Sequence, residues 1–236
     1  MFFGYHEMPL QIEQGDISLS SQKEGKNLLY KRSCLEEEVE KILLTDTGKI
    51  LLQPVEPLNK PKPISHFLLI EFEKPLVLKP RSKRTIFVTF PVEIAASVPF
   101  KKGFEVIDTF SLPKQKFTLY GDPQSGVICR YWKSPISSTA PRLNPIQEGF
   151  IELHLVNAHS DWTEISKSVF NAYGMKLYYN DLMVAMKARM EIENDHIAET
   201  SFIDAPFQKG MSKSFEVYTA RKLSILTTKF VMEYGL

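Results

Sequence analysis

Between Leu182 and Ile192 apolar and polar residues alternate almost without interruption. Leu182, Val184, Met186, Ala188, Met190 and Ile192 share one parity, while Lys187, Arg189 and Glu191 share the other. The residue types are helix formers, but positions 182, 184, 188 and 192 would scatter round a helix, whereas a period of two gathers them into one stripe. The period therefore predicts a strand. It recurs at Ile17 and Leu19, and at Ile151, Leu153 and Leu155, which oppose Glu152 and His154. Met175, Leu177 and Tyr179 repeat it and end at Asn180-Asp181, read as a two-residue turn. Tyr178 and Tyr179 are assigned to opposite faces, so only one of them is expected in the core. Phe67–Phe72 and Thr85–Phe90 are rich in aromatic and branched residues, as buried strands are. Segments 104–110, 117–120, 127–132, 215–217 and 223–232 continue the series.

Turn signals divide these strands. Lys23-Glu24-Gly25-Lys26-Asn27 separates Leu19 from Leu28, and Thr45-Asp46-Thr47-Gly48 lies between two Lys-Ile-Leu-Leu runs, which predicts a hairpin. Pro54 to Pro63 holds four prolines, which lack the donor a central strand needs, so it reads as an extended, solvated crossing. A helical turn competes with strand at Glu36–Glu40 and around Thr163–Phe170. Three prolines and three Ser/Thr between Pro135 and Pro145 mark the strongest break. Strands recurring every 8–12 residues or so, with no βαβ rhythm, predict a mainly β fold. The expected architecture is two antiparallel β-sandwich-like halves with little helix: residues 1–133, a Pro/Ser-rich linker at 134–147, and residues 148–236.

Several short motifs add a family resemblance. Phe3-Gly4-Tyr5-His6-Glu7, Pro54-Val55-Glu56-Pro57, Phe90-Pro91-Val92-Glu93-Ile94 and the run from Phe117 to Tyr131 resemble an archaeal family of conserved proteins of unknown function. The resemblance implies an archaeal, intracellular protein, and it brings no catalytic residue or cofactor with it.

Charge narrows the classes of partner. The 236 residues carry 29 basic and 28 acidic side chains, a formal charge of +1, so the basic excess of a general nucleic-acid binder is missing and no nucleic-acid partner is expected. No apolar stretch approaches the roughly 20 residues a membrane-spanning helix needs. The opening Met1-Phe2-Phe3-Gly4-Tyr5-His6 lacks a basic region and an apolar h-region, so a cytoplasmic location is expected. Cys34 and Cys129 are too few for a disulfide framework and read as two buried thiols in preference to one long-range pair.

Three groups of residues are candidates for chemistry. Gly121-Asp122-Pro123-Gln124-Ser125-Gly126 is a loop of small residues between two strands, with Arg130 just beyond it. Tyr120, Gly121, Ser125, Gly126, Arg130 and Trp132 are its candidate ligand-binding residues, because glycine backbone N–H groups can converge on an anion. The spacing matches neither a P-loop nor a dinucleotide fingerprint, and a tight hairpin explains each residue without a ligand. His154, His159 and Asp161, with Glu152 two positions before His154, are the candidate metal ligands, although a solvated strand face and its turn is the favoured account of them. Lys79, Arg81, Lys83 and Arg84 form a basic turn able to hold an anion or to guard a sheet edge. No nucleophile context surrounds either cysteine, so catalytic residues and cofactors stay unassigned. With 16 Phe, 9 Tyr and 2 Trp, an exposed aromatic platform is conceivable, but a core of this size needs most of them. The expected function is a non-enzymatic binding or scaffolding protein acting through a protein partner or self-association. The alternatives are a small-ligand or carbohydrate-binding protein, or a metal-assisted hydrolase.

Overall fold

The computed structural model describes residues 2–25, 27–44, 48–59, 64–100, 103–217 and 228–236. The chain opens with β1 (Gly4–Glu7), β2 (Gln11–Gln14), β3 (Ile17–Glu24), β4 (Asn27–Cys34), β5 (Glu37–Leu43) and β6 (Lys49–Val55). It continues with β7 (Phe67–Leu78), β8 (Lys83–Pro91), β9 (Glu93–Phe100), β10 (Gly103–Phe110), β11 (Phe117–Tyr120) and β12 (Val127–Ser134). β13 (Glu148–Asn157), β14 (Thr163–Asn171), β15 (Tyr178–Tyr179), β16 (Val184–Ile192), β17 (Ala198–Ile203), β18 (Ser212–Lys213) and β19 (Phe230–Met232) follow. A single 3-10 turn at Ala172–Gly174 is the one helical element among the described residues. The fold is mainly β.

Four sheets result. The first has the order β1-β6-β9-β10, the second is the meander β2-β3-β4-β5, and the third is β11-β12-β7-β14. The fourth runs β18-β15-β16-β13-β8, with β17 also on β16 and β19 on β17. Most ladders are antiparallel, but β12 pairs with β7 and β13 with β16 in parallel. Only Val92 separates β8 from β9, so the chain crosses from the fourth sheet to the first in one residue. The first two sheets thus draw on residues 4–55 and 93–110, and the last two on 67–91 and 117–232.

Pairing crosses the 134–147 stretch. β13 lies against β8, β14 against β7, and Ser137 exchanges both backbone hydrogen bonds with Phe87, at 3.0 and 2.8 Å. The stretch joins two strands of neighbouring sheets within one system, and its sheet partners lie on both sides of it.

Other local expectations also meet a structural answer. The stripe from Val184 to Ile192 is fully buried at Val184, Met186, Ala188, Met190 and Ile192, with Arg189 exposed. Leu182 and Met183 instead belong to a turn, because Asn180 Oδ1 accepts from both of their backbone N–H groups, at 2.9 and 3.1 Å. Tyr178 and Tyr179 are both buried: the Tyr178 hydroxyl donates to Asp204 at 2.6 Å and Tyr179 packs edge-on against Phe3. The segments 37–43 and 163–171 are strands, not helical turns. The hairpin predicted around Gly48 is not formed, since β5 pairs with β4 and β6 with β1 and β9 (residues 45–47 lie outside the described residues). Pro54 to Leu58 is buried rather than solvated, and 60–63 lie outside the described residues.

One contiguous core links the sheets, from Ile17 and Tyr30 through Leu52 and Ile94 to Val169 and Met190. Between the first two sheets it carries a buried polar contact: Arg32 Nε donates to Asp108 Oδ2 at 2.6 Å, and the Tyr30 hydroxyl donates to the same oxygen at 3.2 Å. A register irregularity between Val106 and Asp108 lets β10 deliver this carboxylate to Arg32. Gly149 marks the tightest strand crossing, since a Cβ there would lie 2.5 Å from the Phe90 ring and 2.7 Å from the Val184 carbonyl oxygen.

Candidate functional site

The β11–β12 hairpin sets Phe117 opposite Arg130, Leu119 opposite Ile128 and Tyr120 opposite Val127. Opposed residues share a face and neighbours alternate, so Tyr120 lies on the face opposite Phe117, Leu119, Ile128 and Arg130. On its own face Tyr120 is buried. Its hydroxyl donates to the Gly235 carbonyl at 3.0 Å and accepts from the Tyr234 N–H at 3.1 Å, and burial pushes its pKa up.

The small-residue loop turns inward on itself. Asp122 Oδ1 accepts from the backbone N–H of Gln124 at 2.8 Å and of Ser125 at 3.0 Å, while Gly126 N–H donates to the Asp122 carbonyl at 2.8 Å. The Ser125 hydroxyl donates to Asp122 Oδ2 at 2.5 Å and meets the Tyr234 hydroxyl at 2.6 Å. These bonds, the Ser125 hydroxyl foremost, hold the Asp122 carboxyl down at about 2. A nest of converging N–H groups is present, and the protein's own carboxylate fills it. Gly121, at φ +100°, has the Tyr234 ring 2.7 Å from where a Cβ would stand, so this contact admits only glycine. Tyr120, Gly121, Ser125 and Gly126 therefore come together, around Tyr234.

Arg130 and Trp132 stand elsewhere. The Trp132 indole N–H donates to Thr89 Oγ1 at 2.9 Å, between the third and fourth sheets. Arg130 is almost wholly buried beneath the Phe117 ring, 5.8 Å from its centroid, and burial pushes its pKa down to about 10 against the opposing influence of Glu93. Its Nε and Nη1 reach no acceptor among the described residues.

The histidines form two separate pairs. His154 Nδ1 is 3.0 Å from Thr85 Oγ1, and its Nε2 is 3.4 Å from Glu152 Oε1, whose other oxygen is 3.1 Å from Lys187 Nζ. His159 Nε2 is 3.8 Å from Asp161 Oδ2, at the far end of β13. Among the described residues no three His, Cys, Asp or Glu side chains gather as a metal would need. Cys34 and Cys129 form no disulfide and are buried, and burial pushes the Cys129 thiol up to about 12, so it is not a thiolate nucleophile at neutral pH. A cavity of about 680 Å³ opens between the β4–β5 turn and residues 111–115, lined by Cys34, Leu35, Glu37, Leu112 and Lys114 among others. No helix among the described residues is long and apolar enough to cross a membrane.

What alternation did not reveal is the outer face of this hairpin. Phe117, Leu119 and Ile128 are 36%, 44% and 48% exposed on one face, and β11 ends its sheet with no strand on its outer side among the described residues. The sequence signal for this was weak. Phe-Thr-Leu-Tyr reads as an ordinary amphipathic strand, and nothing in it says that Tyr120 points inward while Phe117 and Leu119 point out.

Comparison with curated proteins and with solved structures finds no match. The family model described as "Protein of unknown function (DUF432)" matches residues 2–233, nearly the whole chain, and the protein belongs to that family.

Proposed function

We infer that this protein is a binding or scaffolding β protein without catalytic activity, and that it associates with a second copy of itself through the open edge of its third sheet. The observation that carries this reading is the exposed trio Phe117, Leu119 and Ile128 on and beside an unpaired edge strand. Exposed edges are ordinarily blunted by charge, proline or a bulge, and Phe117–Tyr120 contains none of these. The strand is also self-complementary. Antiparallel pairing about a two-fold axis at Thr118 sets Phe117 of one copy opposite Leu119 of the other, on one face. The same register brings Lys114 opposite Asp122, a pair of opposite charge. A four-residue ladder is short, so the association is reversible and concentration dependent.

Two buried thiols outside any disulfide support a cytoplasmic location, and the family resemblance supports an archaeal source. A small-ligand reading has one observation in its favour, the cavity beside Cys34 and Leu112. Sedimentation equilibrium over a wide concentration range tests the main reading. It expects a monomer–dimer equilibrium that Leu119→Lys abolishes while the far-ultraviolet circular dichroism is unchanged. A protein that stays monomeric throughout, or a dimer indifferent to Leu119→Lys, overturns it.

A further inference from the structure

The basic turn between β7 and β8 is not used by the edge, and the structure shows what stands beside it. Lys79, Arg81, Lys83 and Arg84 are all exposed, and none makes an ion pair with a described carboxylate. A second loop, 158–162, is fastened to this turn. The buried Asn157 amide donates to the carbonyls of Leu78 and Lys79, both at 3.3 Å, and to that of Asp161 at 3.1 Å. Its Oδ1 accepts from His159 N–H at 2.9 Å, and its backbone N–H donates to the Ser82 carbonyl at 2.9 Å. Arg81, at φ +48°, donates its N–H to the His159 carbonyl at 3.2 Å. One buried side chain thus makes two loops into a single preorganised tip.

Two apolar side chains protrude at that tip. Trp162 is 65% exposed and Val77 57%, and the pairing of Thr163 with Leu78 and Glu164 with Val77 places Trp162 next in register to Lys79. Residues 79–84 and 158–162 hold four cations and one acidic residue, Asp161, with exposed Glu164 opposite Val77, in a chain whose formal charge is only +1. An isolated exposed tryptophan is unremarkable. An indole and a branched aliphatic side chain exposed beside a hydrogen-bonded cationic turn have the composition of an interfacial anchor, with the ring seated at the headgroup level and Lys/Arg reaching the phosphates.

We propose that this tip docks the protein peripherally on an anionic lipid surface. Charge complementarity gives the occupant, and the apolar pair distinguishes a bilayer from a soluble polyanion. β7 runs from Phe67, beside Cys129 of β12, to Leu78 at the tip, and its partner β14 covers that span between Asn171 and Thr163, so docking leaves the β11 edge free, roughly 26 Å away at about 3.3 Å per β14 residue.

The test is co-sedimentation of the full chain with phosphatidylcholine vesicles, with and without phosphatidylglycerol. Tryptophan emission is followed in a Trp132→Phe background, where Trp162 is the only indole. Binding is expected only with phosphatidylglycerol, with a blue shift of Trp162 and weakening as salt rises. At about fivefold per basic residue, the Lys79→Ser/Arg81→Ser/Lys83→Ser variant loses roughly a hundredfold in affinity. Trp162→Ser weakens binding but keeps its salt dependence, and both variants retain the wild-type melting temperature. No binding to phosphatidylglycerol vesicles overturns the proposal. So does equal binding to pure phosphatidylcholine, or capture of a single-stranded oligonucleotide in preference to vesicles.

Discussion

Replacing Asp108 by Ala leaves the Arg32 guanidinium without its counter-charge in the place where the first two sheets meet. The Arg32 side chain is 0% exposed and that of Asp108 7%, so water cannot replace the lost partner. Nη1 of Arg32 already reaches no acceptor among the described residues, and Nη2 has only the Glu37 carboxylate at 3.5 Å. Breaking one side of a buried pair costs about 3–5 kcal/mol, because the remaining charge stays desolvated. At about 2–4 °C per kcal/mol for a chain of this length, the midpoint falls by roughly 6–20 °C. Removing both charges has a different outcome. In Arg32→Met/Asp108→Leu the thioether keeps the packing of Arg32 over the Phe110 ring, now 5.0 Å from the guanidinium carbon, and no ion is left buried. The Tyr30 hydroxyl also loses its acceptor there, so the double variant is expected about 1–3 kcal/mol below wild type, less than Asp108→Ala alone. Urea unfolding of wild type, Arg32→Met, Asp108→Leu and the double variant closes the cycle. If the double variant loses the sum of the single losses, Arg32 and Asp108 are not coupled and the reasoning from burial fails.

Three further outcomes follow from the described geometry. Gly149→Ala forces a methyl group into the Phe90 ring and the Val184 carbonyl, and urea unfolding should show a loss of about 1–3 kcal/mol; an unchanged midpoint would mean the β8–β13–β16 crossing is looser than described. Asp122 titrates near 2, below its unfolded value, so the stabilisation it gives the loop is complete above about pH 4 and disappears as pH falls toward 2. A carboxyl-carbon NMR titration of Asp122 with a midpoint near 4 would contradict the bond pattern. Both thiols are buried in the native state, so a disulfide reagent should modify neither Cys34 nor Cys129 until denaturant unfolds the chain, and prompt labelling of Cys129 would show that its strand opens.

Alternation identified strands well because it is local. The β16 stripe needs only its own residues to be read, and the fourth sheet buries it as the period requires. Which strands pair is a different question, answered by partners distant in sequence. The repeated Lys-Ile-Leu-Leu at 41 and 49 invited a hairpin, yet β6 found β1 and β9, and β5 closed the meander. Buried charge was also hidden. Arg32, Glu56, Glu93 and Arg130 are each no more than 2% exposed, against the usual rule for such residues. Asp108 reaches Arg32 only because an irregularity in β10 changes the parity of the strand, and no residue pattern announced it.

The same division between local and distant explains what could be read of the sites. Lys79, Arg81, Lys83 and Arg84 are neighbours in sequence, so the basic turn was visible at once. Its companion Trp162 was not, because the link is Asn157, one amide that binds the carbonyls on both loops at once. The 120–126 loop is legible as a turn, but Asp122 fills its nest of N–H groups and its closing partner is Tyr234, more than a hundred positions away. Arg130 lies just beyond the small-residue loop that follows Tyr120 in sequence, yet the hairpin puts the two on opposite faces. A short distance along the chain brings side chains together only when no turn intervenes to reverse their parity. That is why the local patterns here located elements and turns, and why the contact surfaces emerged only from the pairing register.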